Sequence, residues 1–145
     1  MLISGCAETR LVMNFTNPTD GAEVKLWPAP PDKPRYRYVG ELTGEDNFSP
    51  ENWANRGTAT KVFDWLVGLT GKNSEPIVLQ RPQSGMVDAL GRVYVTDIGR
   101  GGVYVFDNVG GKFEVWEWSG EEERFVAPIG IAEGQHGEIL VADAE

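Results

Sequence analysis

Short runs of alternating hydrophobic and polar residues fill the C-terminal half of the chain, and glycine-containing turns separate them. Alternation with period two between turn residues is typical of antiparallel strands that have one buried face. The pattern predicts four consecutive strands, at residues 85–88, 92–97, 103–107 and 113–118. Two further strands are predicted at 129–133 and 138–143. The predicted fold class is therefore mainly β, with one four-stranded antiparallel unit and half of a second.

The second unit is a copy of the first at an offset of 46 residues, because residues 81–97 return as residues 127–143. A period in the forties with turn residues at fixed positions is typical of repeat proteins, whose single units cannot bury their apolar faces. Six positions are expected to define the repeat structurally, namely Pro82, Gly91 and Asp97 with their counterparts Pro128, Gly137 and Asp143. The second copy stops shortly after Asp143, so the chain is expected to be the N-terminal part of a larger repeat protein.

Three parts of the chain differ in composition. Residues 1–22 are predicted to be a polar terminus or tether, residues 23–78 an extension, and residues 79–145 the repeats. The first 78 residues carry 8 basic and 10 acidic side chains, whereas residues 79–145 carry 5 and 12, for a net charge of −9 in the whole chain. This balance argues against the backbone of a nucleic acid as a partner.

The extension has weaker patterns than the repeats. Alternation predicts strands at 23–27 and 35–42, and the proline-rich segment 28–34 between them is predicted to be an extended polyproline-II connector. A single short helix is predicted at 58–69, where five apolar residues form one stripe. A helical turn is predicted at 47–53, because a serine and a proline stand where helices start.

The repeat resembles a known family. Its first copy reads PQSGMVDALGRVYVTD from Pro82 to Asp97 and continues with GVYVFD at 102–107; its second reads PIGIAEGQHGEILVAD. Both resemble the NHL repeat, whose pattern runs roughly PxGIAVDxxGxIYVAD and then a strand ending VFD. Ser84 departs from that pattern in the first copy, and Glu133 and Gly134 depart in the second. The match covers residues 79–145.

The resemblance implies a six-bladed β-propeller in which each blade is a four-stranded antiparallel sheet. About one and a half blades are then present here, preceded by an N-terminal extension containing one short helix. Such rings often close through an N-terminal strand that completes the last blade, which protects an otherwise open sheet edge. The strand predicted at 35–42 fits that role.

The single cysteine, Cys6, ends the sequence LISGC at residues 2–6, which resembles the lipobox of bacterial lipoproteins. Acylation there would tether the protein to a membrane, although the apolar region that normally precedes a lipobox is missing. Two interpretations stay open: an exported protein, periplasmic or membrane-anchored through Cys6, and a cytoplasmic protein in which the match is accidental.

One cysteine and one histidine cannot form a zinc cage of those ligands. The sequence also contains no run of about 18 apolar residues, the length needed to span a membrane.

Paired carboxylates at equivalent strand ends invite a catalytic or metal-binding interpretation. Asp97 and Asp143 occupy such ends, but an aspartate there commonly accepts hydrogen bonds from the amides of the following turn. Because both copies carry the residue, a structural role is expected, and Asp88 and Asp107 are interpreted likewise. We predict no catalytic, cofactor-binding or metal-binding residue in the chain, and no cofactor.

The remaining candidates are aromatic, acidic or imidazole side chains near turns. Trp116 and Trp118 alternate along the fourth predicted strand, so they either pack between units or form an exposed surface for a partner. The acidic run at 121–123 is predicted to be a solvated loop. His136 lies in a turn without a second histidine.

Three functions are compatible with these patterns. The first is a non-catalytic binding or scaffold module that presents loops to a protein or small ligand. The second is part of a propeller enzyme, such as a metal-dependent lactonase or lyase. The starts of the innermost strands hold no metal-binding side chain, and this favours the binding module over the enzyme. The residues at those positions are Gly85, Met86, Ile129 and Gly130. The third is a chain that pairs by a sheet edge with another chain.

Overall fold

The computed structural model describes residues 11–16, 25–51, 76–120 and 123–145. These ranges form ten strands and a single 3-10 turn at Glu45–Asn47. The strands, in chain order, are β1 (Leu11–Met13), β2 (Leu26–Trp27), β3 (Tyr36–Arg37), β4 (Phe48–Pro50), β5 (Pro82–Val87), β6 (Val93–Asp97), β7 (Gly102–Asp107), β8 (Lys112–Trp116), β9 (Pro128–Glu133) and β10 (Ile139–Asp143). The mainly β prediction is confirmed.

Strands β5 to β8 form one antiparallel sheet in sequence order. The four strands predicted for the first unit are all present, with ends displaced by up to three residues. β7 lies inside the sheet, and five of its six residues are buried. A strand buried on both faces requires a separate layer on each face of the sheet, and both layers are present.

The first layer covers the face that carries Tyr94, Val103 and Val105, here called the Tyr94 face. Strands β9 and β10 form an antiparallel hairpin that packs on this face through Ile131, Ile139 and Val141. Residues of the second copy therefore supply the apolar cover that the first copy lacks, as expected for stacked repeat units.

The second layer covers the opposite face, here called the Phe106 face, which contains the fully buried Tyr104 and Phe106. β4 pairs with β1 and brings Phe48 onto this face. The Phe48 ring centroid lies 6.3 Å from that of Phe106 and 5.9 Å from that of Phe113. The Tyr104 hydroxyl donates a 2.8 Å hydrogen bond to the carbonyl oxygen of Val78, which satisfies its polar end.

A buried asparagine holds the second layer together. Asn47 is 1 % exposed, and its side-chain oxygen accepts hydrogen bonds from the amides of Thr43 and Gly44 at 2.6 and 3.0 Å. Its side-chain nitrogen donates to the carbonyl oxygens of Asn14 and Glu41 at 2.8 and 2.9 Å. One amide group therefore joins the β1 end to the 41–44 loop, and nothing in the sequence pattern had pointed to it.

The strands of the extension are shorter than predicted, and they pair with each other. β2 and β3 form an antiparallel hairpin in which Trp27 lies opposite Tyr36 and Leu26 opposite Arg37. The segment 28–34 was predicted to be an extended connector. That prediction is wrong, because the segment contains a turn and closes this hairpin.

The prediction of a helical turn at 47–53 is wrong for the residues of this range that the structure describes. The only helical segment in the described part of the extension is the 3-10 turn at Glu45–Asn47, and Phe48–Pro50 is strand. Packing of Phe48 on two rings of the sheet and pairing with β1 outweigh the local preference of the serine and proline for a helix start.

The helix predicted at 58–69 lies outside the described residues. No helix in the described ranges has the length and apolar character needed to cross a bilayer.

Replacing Asn47 tests whether its amide organises the second layer. Asn47→Ala removes the partner of the Thr43 and Gly44 amides and of the Asn14 carbonyl oxygen, and we expect it to lower the free energy of unfolding by about 3 kcal/mol. The measurement is urea-induced unfolding. Asn14→Ala is the matched control, because the Asn14 side chain bonds Ser49 on an exposed surface and its loss should cost less than about 1 kcal/mol. Equal losses for both variants would contradict the role of Asn47.

Candidate functional site

Asp97 ends β6 and is completely buried. One carboxylate oxygen accepts hydrogen bonds from the amides of Gln80 and Arg81 at 2.6 and 2.8 Å. The other accepts from the amides of Gly99 and Arg100 at 2.8 and 3.0 Å. The expected bonds to the following turn are present, and the bonds to the segment before β5 were not anticipated. Since both oxygens are occupied by backbone donors, this carboxylate ties the start of β5 to the end of β6.

Asp143 repeats this junction 46 residues later. Its oxygens accept from the amides of Val126 and Ala127 at 2.9 and 2.7 Å, the positions equivalent to Gln80 and Arg81. Burial opposes ionisation of Asp143, but these amides and that of Glu145 outweigh it and hold the pKa of the carboxyl below its ordinary value of 3.8. Both copies therefore use the aspartate in the same way.

Asp88 occupies the turn between β5 and β6. One of its oxygens accepts from the amides of Leu90 and Arg92, at 3.0 and 2.9 Å. The other accepts from Arg92 Nε at 2.6 Å and from the Tyr94 hydroxyl at 3.1 Å. Burial raises the pKa of Asp88, but the hydrogen bonds from Arg92 and Tyr94 outweigh it, so the pKa lies below 3.8. This cluster closes the turn and leaves no unoccupied carboxylate oxygen for catalysis.

The second copy closes the same turn with different residues. Gly134 replaces Asp88, and Glu138, at the position of Arg92, accepts the amide of His136 at 2.8 Å. Gly91 and Gly137 occupy the same place in the two turns, with φ of 81° and 83°. A φ in this range favours glycine over residues with a Cβ, which explains why both copies carry it. The lone histidine contributes its backbone amide to the turn.

The two tryptophans have different surroundings. Trp116 packs against the Tyr94 face, with ring centroids of Trp116 and Tyr94 5.6 Å apart. Trp118 is 51 % exposed, and the Arg124 guanidinium lies 5.8 Å from its ring centroid. Of the two candidate partner-binding residues, Trp118 is the one with an accessible ring.

Loops at one end of the sheet present exposed apolar side chains. The turns 88–92 and 108–111 follow β5 and β7, which run in the same direction, so both turns lie at one end. The backbone at Phe125, which leads into β9, contacts Gly101 at the opposite end, so the 134–138 turn lies with the first two. We call these three turns the hairpin-turn end. Exposed apolar side chains there are Val87, Leu90 and Val109, each more than 60 % accessible.

The opposite end carries charged side chains in pairs. Glu117 accepts from Arg100 Nε at 2.9 Å and from Arg124 Nη2 at 2.8 Å. A cleft of about 520 Å³ lies beside Arg124 and is also lined by Phe125, Val141 and Asp143. Within the described ranges, no three histidine, cysteine or acidic side chains converge as metal ligands. Cys6 and residues 121–122 of the acidic run lie outside those ranges.

No family model matches the sequence, and no curated protein or solved structure is significantly similar to it. The assignment of function therefore depends on the residues and contacts of this chain. Three groups of contacts were not anticipated from the sequence: the amide network of Asn47, the pairing of Asp88 with Arg92 and Tyr94, and the bonds of Asp97 to the segment before β5. The second had a detectable signal, because Arg92 and Tyr94 follow the turn at positions that face back toward Asp88.

The two equivalent aspartates should differ in their contribution to stability. In Asp97→Asn the new NH₂ group faces buried amide donors, and we expect a loss of about 2–3 kcal/mol in the free energy of unfolding. Asp143→Asn alters the same junction at an exposed site and should cost less than about 1 kcal/mol. Denaturant unfolding of both variants decides the point. A larger loss for Asp143→Asn would show that burial does not set the strength of these junctions.

Proposed function

We propose that this chain is a non-catalytic binding or scaffold module built on NHL-type propeller repeats, and that its hairpin-turn end presents the ligand-binding surface. The partner is a protein or a small ligand with an apolar contact surface. Exposed Val87 and Leu90 project from a rigid sheet whose two faces are already covered. Binding residues are commonly carried on loops that a rigid scaffold positions.

The equivalence of the two copies at the level of individual hydrogen bonds carries the proposal. β5 pairs with β6 and β9 with β10 in the same register, with Pro82 opposite Asp97 and Pro128 opposite Asp143. Each pair of strands has a register shift next to its proline. Stacking of the second copy on the Tyr94 face is the arrangement that a ring of blades would require.

The second layer supports the same proposal from the other side. In a ring, the Phe106 face of the first blade would contact the last blade, and β1 and β4 cover that face here. An N-terminal segment that supplies strands to the last blade would close the ring and remove open sheet edges. Strands β1 and β4 take this role in the proposal, in place of the strand predicted at 35–42.

The enzyme alternative receives less support from the described residues. Asp88 and Asp97 have all their carboxylate oxygens in hydrogen bonds that build the turns. The innermost strands present Gly85, Met86 and Ile129 in place of metal-binding side chains. A propeller lactonase or lyase would therefore need residues outside the described ranges.

A photo-crosslinking amino acid at Leu90 tests the proposed surface in the cells that make the protein. Leu90 is 67 % exposed, so the substitution should be tolerated, and we expect discrete adducts after irradiation. The matched control carries the same amino acid at Gln83, which is exposed near the opposite end of β5. Adducts at both positions or at neither would contradict the proposal, and metal-dependent lactone hydrolysis by the purified chain would favour the enzyme.

Export and lipid attachment form the second part of the proposal. The LISGC sequence supports cleavage before Cys6 and acylation of its thiol, and intact-mass analysis of the native protein tests this directly. We expect a diacylated N-terminus at Cys6, its loss in Cys6→Ser, and its retention in Ser4→Ala, which keeps a small residue at that position. An unmodified chain of 16.0 kDa would dismiss the anchor.

A further inference from the structure

The β2–β3 hairpin contributes no buried side chain to either layer of the sheet. Four of its apolar and aromatic residues are exposed: Leu26 by 39 %, Trp27 by 48 %, Tyr36 by 69 % and Val39 by 54 %. A two-stranded hairpin with no covered face has little apolar burial to stabilise it. An exposed apolar surface of this kind in a folded protein indicates an interaction site.

Apolar and basic residues occur on both faces of this hairpin. Trp27 and Tyr36 lie opposite each other on one face, where Lys25 Nζ also stands 5.5 Å from the centroid of the Tyr38 ring. Leu26 lies opposite Arg37, and successive residues of a strand alternate, so this pair belongs to the other face. A partner that covered a single face would leave an apolar and a basic side chain uncovered on the other.

The hairpin is also the basic part of an acidic protein. Residues 25–39 contain Lys25, Lys33, Arg35 and Arg37 against one acidic residue, for a net charge of +3. The other 130 residues contain 9 basic and 21 acidic side chains, for a net charge of −12. A strongly anionic surface would attract this hairpin and repel the rest of the chain, so the charge distribution would also orient the molecule.

We propose that the β2–β3 hairpin binds an anionic lipid surface. Tryptophan and tyrosine with flanking lysine and arginine are the side chains that favour the headgroup region of a bilayer. A fluid headgroup layer can surround both faces of a narrow hairpin, which a single flat protein surface cannot do. This lipid binding does not depend on acyl chains at Cys6. It is a separate role from the ligand binding proposed for the hairpin-turn end.

Vesicle co-sedimentation tests the inference with the full chain as the Cys6→Ser variant, which removes any contribution from acylation. We expect binding to vesicles of phosphatidylcholine and phosphatidylglycerol and none to phosphatidylcholine alone, with release by salt. Arg35→Gln with Arg37→Gln should weaken binding about 25-fold, since each basic residue near the surface contributes about fivefold. Tyr36→Ala should also weaken it, because the exposed ring is lost.

The matched control removes two positive charges from the acidic part of the chain. Arg81→Gln with Lys112→Gln should leave vesicle binding unchanged, and unfolding midpoints of both double variants should match that of the parent. Equal binding to both vesicle types, or equal effects of the two double variants, would overturn the inference. Self-association would also overturn the inference if it depends on protein concentration, occurs without vesicle binding and is abolished by Arg35→Gln with Arg37→Gln. A second copy of the chain would then cover the hairpin.

Discussion

The apolar character of both faces of the β5–β8 sheet is the constraint on which the remaining structure depends. β7 places Val103 and Val105 on one face and Tyr104 and Phe106 on the other, and all four side chains are buried. Neither face can be left to water, because exposing such residues would cost about 1.5–3 kcal/mol for each side chain. The β9–β10 hairpin and the β1–β4 pair therefore have defined positions, although they come from opposite ends of the described chain.

Hydrogen bonds at the strand ends complement this packing. Burial of Asp97 is tolerated because four backbone amides surround its carboxylate, and a charged group hydrogen-bonded in this way resists local opening. Asp143 forms the corresponding junction with fewer neighbours around it, at an exposed position. The acidic residues that first invite a catalytic interpretation are thus parts of the repeat itself. Exposed apolar side chains lie elsewhere, at the hairpin-turn end and on the β2–β3 hairpin.

The extension combines two unlike roles. Around Asn47, the residue just before β4, it is tightly connected, since this one side chain joins the residue after β1 to the 41–44 loop by hydrogen bonds. The β2–β3 hairpin, by contrast, is held mainly by pairing between its own strands, and its aromatic residues contact solvent. The opposite charges of hairpin and repeats keep these two regions electrostatically distinct, which is consistent with separate binding surfaces on one chain.

The sequence by itself determined the strands of the repeats, their antiparallel order, the 46-residue equivalence and the structural use of Asp97. These features are local, because alternation sets which face a residue occupies and glycine at positions 91 and 137 permits the turns. Only the tertiary structure decided that Phe48 belongs to a strand, that residues 28–34 close a hairpin and that Asn47 is a buried connector. Each of these depends on contacts between residues far apart in the chain, or on a partner strand, and such contacts leave no periodic trace in the sequence. The tertiary structure also decided that Trp116 packs against the Tyr94 face whereas Trp118 is exposed, since the cover over the Trp116 ring depends on where β9 and β10 pack.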